Sequence, residues 1–66
     1  MSDFAERLKS ARKRAGLTQQ SMADRTLIPK RTIEKWEQGE TNPPPYVQRF
    51  VLNELEVIAR EKEGLI

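Results

Sequence analysis

Thr18-Gln19-Gln20-Ser21-Met22-Ala23-Asp24-Arg25, then Thr26-Leu27-Ile28, then Pro29-Lys30-Arg31-Thr32-Ile33-Glu34-Lys35-Trp36-Glu37-Gln38-Gly39 is the stretch that decides how this chain folds. Thr18 is a good N-cap, because its hydroxyl can accept from a free backbone N–H at a helix start. Met22 and Ala23 supply the buried side of the short helix that follows. Thr26-Leu27-Ile28 leaves room only for a tight turn. Pro29 suits the first turn of a further helix, where its missing N–H costs nothing, and Gly39 suits the C-cap that ends it. Ile33 and Trp36, three residues apart, make its inward face. The reading is two short helices about a three-residue turn, a steep pair whose second member stands proud of the surface.

Working outward, Phe4, Leu8, Ala11 and Ala15 fall at helical spacing and predict a helix from about Asp3 to Arg14. Asp3 and Glu6 have the offset of an N-terminal cap box, with Asp in place of Ser or Thr. Gly16 stands where a C-cap glycine belongs. On the other side, Pro43-Pro44-Pro45 stiffens the loop after Gly39. A fourth helix is expected over about residues 44–62, with an apolar stripe of Val47, Phe50, Val51, Leu55 and Ile58 interrupted at Glu54. The pattern is all-α and forms one domain over residues 1–66, with its paired helices at about 18–38.

Composition narrows the function. A 66-residue domain buries only about 60% of its unfolded surface, and a ligand-sized pocket would come at the expense of its core. With no cysteine and no histidine, disulfides, thiolate or imidazole metal sites, and Cys or His catalysis are excluded. No metal and no cofactor are expected, and an enzyme is not. No apolar run approaches the roughly 20 residues of a membrane span. The start, Met1-Ser2-Asp3-Phe4, lacks the apolar stretch of a signal peptide. The expected location is the cytoplasm, in association with the nucleoid. Charge is uneven: residues 1–39 carry nine Lys/Arg against five acids, a net +4, and residues 40–66 carry three against five, a net −2. That excess points to a polyanion as partner of the N-terminal part.

The third helix concentrates this charge. Beyond Ile33 and Trp36 it offers Lys30, Arg31, Thr32 and Lys35, and the major groove of DNA, about 12 Å wide, admits one α-helix. Glu34 lies among these donors with two readings, an acceptor for a cytosine amino group or a residue that orients Arg31 and Lys30. Trp36 reads as a core residue rather than a base-stacking one, and Lys9, Lys13 and Arg14 as ordinary exposed charges.

Arg12, then Ala15-Gly16-Leu17-Thr18-Gln19-Gln20, Met22-Ala23, Ile28 through Gly39, and Pro43 or Pro44 beyond together resemble the Cro/phage-repressor (XRE) type of helix-turn-helix domain, over about residues 4–58. The resemblance implies a four- to five-helix bundle, compact and phage-repressor-like, and a transcriptional regulator, most simply a repressor. It implies that Lys30, Arg31 and Lys35, with Glu34 among them, read base edges. Gln19, together with Thr18 beside it, Thr32, and Thr41 and Asn42 of the following loop, would meet the DNA backbone. Arg12 and Glu37 match an ion pair between the first and third helices. The position usually occupied by glycine in the turn is Leu27 here. Either the turn differs or the site is strained, since Leu at positive φ is costly. The fourth helix is long where many members carry a fifth, so the mode of dimerisation is open.

The partner implied is double-stranded DNA, bound by a homodimer on a pseudo-palindrome, because one such domain covers little DNA. The dimer contact is expected on the fourth helix through Leu52, Val57, Leu65 and Ile66, which lie off or beyond the main stripe. The alternative is an antitoxin or a protein-interaction adaptor on the same fold, with a toxin or another protein as partner. Its tail would be Glu61-Lys62-Glu63-Gly64-Leu65-Ile66, which is short for that task.

Overall fold

The computed structural model describes residues 3–64 as four helices, α1 (Asp3–Arg14), α2 (Gln19–Thr26), α3 (Lys30–Gln38) and α4 (Pro45–Glu63), with no strand among the described residues. Helix α1 packs against both α3 and α4, and α2 packs against α3. Leu8, Met22, Ile33 and Leu55, one from each helix, are the largest side chains that solvent does not reach. Phe4, Ala15, Val51, Ile58 and Ala59 complete the buried cluster, and Ala11, Leu17, Ala23, Ile28, Trp36, Val47 and Leu52 pack on its margin. Trp36 meets Phe4 edge-on, with ring centroids 5.9 Å apart at 69°, an arrangement favoured by the ring quadrupoles.

The ends of the helices follow local chemistry. Helix α1 already includes Asp3, so Asp3 is not its cap, and the cap position itself lies outside the described residues. Asp3 and Glu6 instead occupy the first turn, where negative charge faces the positive end of the helix dipole. Gly16 (φ +74°) and Gly39 (φ +77°) are left-handed, and each closes its helix with paired reverse bonds. Leu17 N–H donates to Arg12 O and Gly16 N–H to Lys13 O; Glu40 N–H donates to Lys35 O and Gly39 N–H to Trp36 O. These are Schellman motifs, which satisfy the carbonyls a helix end leaves free. Thr18 caps α2 reciprocally with Ser21: Ser21 N–H donates to the Thr18 hydroxyl at 3.0 Å and Thr18 N–H to the Ser21 hydroxyl at 2.9 Å.

Three expectations are corrected. Thr26 belongs to α2, its hydroxyl donating to Met22 O at 2.7 Å, so the turn is Leu27-Ile28-Pro29. Pro29 is the N-cap of α3, not a residue within it. The geometry of the turn is strained: Leu27 sits at φ 63°, the left-handed region, as the C-cap of α2, and is 86% exposed. The larger correction concerns α4. Phe50 is not part of the inward stripe but 71% exposed, while Leu52, expected on the outside, is partly buried against the core. The inner face of α4 runs Val47, Val51, Leu55, Ile58, Ala59. Of the residues expected to form a dimer contact, Val57 is exposed, Leu52 is not available, and Leu65 and Ile66 lie outside the described residues.

Candidate nucleic-acid interface

Helix α3 is held from behind. Ile33 is fully buried, Trp36 is wedged beside Phe4, and Glu37 is the one buried charged residue among those described. Arg12 reaches Glu37 from α1 through two parallel bonds, Nε to Oε2 at 2.7 Å and Nη2 to Oε1 at 3.1 Å. A planar guanidinium fits a carboxylate in that two-pronged way, and charged bonds of this kind are the strong ones. The remaining guanidinium nitrogen donates to Leu17 O at 3.0 Å, and Gln19 Nε2 of α2 donates to Glu37 Oε1 at 3.1 Å. One carboxylate therefore joins α1, α2 and α3, and no buried side-chain nitrogen or oxygen among the described residues lacks a partner. This network fixes how far α3 protrudes and at what angle.

The opposite face of α3 is open. Lys30 and Arg31 are exposed in its first turn, and Glu34 and Lys35 are half-exposed one turn on. No hydrogen bond or ion pair ties these four side chains to one another or to the rest of the described chain. Gln38, exposed and four residues past Glu34, continues the same row. Gln38 is absent from the residues expected at the site; its spacing of seven from Arg31 and four from Glu34 is the signal that places it there. Thr32 is half-buried at the margin of this face, four residues before Trp36.

The flanking residues are placed differently. Thr18 is exposed, with its hydroxyl engaged in the α2 cap. Gln19 is half-buried and holds Glu37 with one amide hydrogen; its second amide hydrogen remains for another acceptor. Thr41 and Asn42 are exposed in the loop between α3 and α4. That loop is anchored just beyond them, because Pro43 is buried and its carbonyl accepts from Gln48 Nε2 at 2.8 Å. Lys9 is half-buried and Lys13 and Arg14 are exposed on α1, with Arg14 paired to Glu56 of α4. No helix among the described residues is long and apolar enough to cross a membrane.

The arrangement is thus an anchored helix with a solvent-facing row of donors and acceptors, preceded by a shorter helix across a three-residue turn. A family model described as "Helix-turn-helix domain" matches residues 3–56, from α1 into the second half of α4. No curated protein and no solved structure matches the chain. With the matched stretch covering well over half of the 66 residues, the chain belongs to the helix-turn-helix domain family, a fold of DNA binding and transcription regulation.

Proposed function

We propose that this chain is a Cro/phage-repressor-type transcriptional repressor that reads a pseudo-palindromic operator with the outer face of α3, acting as a dimer. The observation that carries the reading is the contrast within α3: its inner face is locked by Ile33, Trp36 and the Arg12–Glu37 pair, while the exposed Lys30, Arg31 and Gln38 and the half-exposed Glu34 and Lys35 have no side-chain partner among the described residues. Arg and Lys are suited to the O6 and N7 acceptors of guanine, Gln to adenine, and Glu to the cytosine amino group. With its neighbours unpaired, Glu34 takes the base-accepting role rather than that of orienting Arg31.

Affinity in this scheme comes from phosphate contacts, which position the protein without reading sequence. Gln19 is held by Glu37 through one amide hydrogen, which leaves the other for a phosphate oxygen, and Thr18 lies beside it in sequence. Thr32, half-buried on α3, and Thr41 and Asn42, exposed in the loop after it, are the further backbone contacts in this scheme. Selection of bound duplexes from random DNA tests the proposal. The expected product is an inverted repeat with half-site centres about 34–36 Å apart. Recovery of sequences with no consensus would overturn base reading by α3.

A further inference from the structure

Helix α4 carries a second apolar stripe, on the face turned away from the core. Tyr46 (65% exposed), Phe50 (71%) and Val57 (43%) stand in one row with Asn53 between the last two and Arg60 at its end. Their spacings of four, three, four and three residues are those of a two-helix seam. Phe50 is a ridge between two shallow grooves. One, of about 340 Å³, is shared with Arg25, Thr26, Ile28 and Glu54; the other, of about 370 Å³, with Tyr46 and Arg49. Three large exposed apolar side chains in a row on one helix are more than the scattered single ones of an ordinary surface.

The charges beside this row identify its occupant. At 100° per residue Arg49 and Glu56 fall along one flank of the row, and Glu54 and Glu61 along the other. Arg49 and Glu54 make no ion pair among the described residues. We propose that this stripe is the self-association surface of the protein, on which α4 of a second copy lies parallel and in register. A two-fold axis running along the two helices brings the Arg49 flank of each copy against the Glu54 flank of the other. Arg49 then faces Glu54 of the second copy on both sides, the relation that sets partner and orientation in parallel helix pairs. An antiparallel pair would set the Arg49 flank against itself and the Glu54 flank against itself, with no Arg49–Glu54 contact between copies. Glu56, on the Arg49 flank, is held by Arg14 and Arg60 of its own chain, and Glu61, on the other flank, lies 3.8 Å from Arg25. Asn53 meets its own copy across the axis, and one such polar residue in an apolar seam holds the two strands in register. The grooves on either side of Phe50 receive the neighbouring side chains.

The surface also explains why Leu52 cannot serve the dimer while Val57 can: Leu52 points to the core and Val57 lies in the outer row. The proposal deepens the reading of the chain as a dimeric repressor, but its test needs no DNA. The row is short, so the interface falls in the small class and association is weak in free solution.

Sedimentation equilibrium of the full chain at low salt, up to about millimolar concentration, is the experiment, with circular dichroism melts confirming that each variant folds. Because the substituted residues are exposed, folding is expected to survive. The wild type is expected to fit a monomer–dimer equilibrium. Phe50→Glu should weaken association about thirtyfold or more, as loss of a central aromatic anchor does. Arg49→Glu and Glu54→Arg should each weaken it about two- to fivefold, and the double reversal R49E/E54R should return it close to wild type. A wild type that stays monomeric at millimolar concentration, a Phe50→Glu variant that dimerises unchanged, or an Arg49→Glu variant that dimerises more tightly would overturn the proposal. The DNA reading is measured separately, since Phe50→Glu should still bind an isolated half-site as a monomer. Loss of half-site binding with self-association intact in the wild type would overturn the repressor reading alone.

Discussion

Two arginines of α1, two residues apart, each grip a glutamate on another helix, and they do different work. Arg12 meets Glu37 of α3 with side chains only 13% and 4% exposed, while Arg14 meets Glu56 of α4 with side chains 55% and 34% exposed. The bond lengths are nearly equal, 2.7 and 2.8 Å, so distance does not separate them. Water does. An exposed pair gains little, because solvent screens it and holding two long side chains costs entropy. A buried pair gives up hydration on both sides, and removing one partner leaves the other charge stranded. Glu37 also holds Gln19 of α2, whereas Glu56 is shared with Arg60 of its own helix. The α3 side of the molecule is therefore a locked joint, and the outer side of α4 a solvated surface.

The largest effect expected from this contrast is at Arg12. Arg12→Ala should lower stability by about 3–5 kcal/mol, the cost of leaving a buried charge unpaired, measured by urea or thermal unfolding. In a domain this small that approaches the whole margin of stability, so a substantial fraction of the variant should be unfolded already at about 25 °C. Glu37→Ala should cost less, because the Arg12 side chain keeps the Leu17 carbonyl and reaches some solvent. A fully stable Arg12→Ala variant would remove the distinction between the two pairs.

On the open face of α3 the effect should appear in binding and not in stability. Arg31 is exposed and makes no intramolecular ion pair among the described residues. Arg31→Ala should leave the melting temperature within a degree or two, as expected of a surface substitution. It should weaken binding to the selected operator by about 1–3 kcal/mol, with a much smaller loss on random duplex. Competition titrations on both DNAs read this directly. Equal losses on both would reassign Arg31 from base reading to phosphate contact.

Leu27 offers a smaller change of opposite sign. A left-handed conformation costs a side-chain-bearing residue about 1–2 kcal/mol, and glycine returns about 0.5–1 kcal/mol of that through its freer unfolded chain. Leu27 is too exposed to lose much buried surface on truncation. Leu27→Gly should therefore stabilise the domain by up to about 1 kcal/mol, a rise of a few degrees in Tm. Destabilisation would mean that the left-handed turn at Leu27 carries less strain than the entropy glycine adds to the unfolded chain. The smallest effect belongs to the exposed pair: Glu56→Ala should cost no more than about 0.5–1 kcal/mol even though it frees both Arg14 and Arg60. Raising the salt concentration should erase most of that difference.

Much of this was legible in the residues because it is written in local rules. Thr18, Gly16 and Gly39 announce helix ends by chemistry that acts within four or five residues, and the helices begin and end within a residue or two of where those signals put them. Ile33 with Trp36 marks the inward face of α3 for the same reason, a short periodicity with one solution. Helix α4 defeated that logic. It carries apolar side chains on two faces, Val47, Val51, Leu55, Ile58 and Ala59 inward and Tyr46, Phe50 and Val57 outward. Periodicity alone cannot rank two stripes when both satisfy it; Phe50 falls on the expected spacing and Leu52 off it, and packing reverses the two.

The order of four helices, the tight turn before α3 and the set of charges that α3 offers can be read from the residues, since each rests on interactions between near neighbours in the chain. Which side each helix shows to the others cannot, because it is set by packing between distant segments. The joint of Arg12, Gln19 and Glu37 spans up to 25 residues of separation, and the outward turn of Phe50 depends on α1 covering the other side of α4. A 66-residue domain has too little interior to bury both faces of a 19-residue helix. The packing of α1 chose one face for the core, and Tyr46, Phe50 and Val57 were left to the surface.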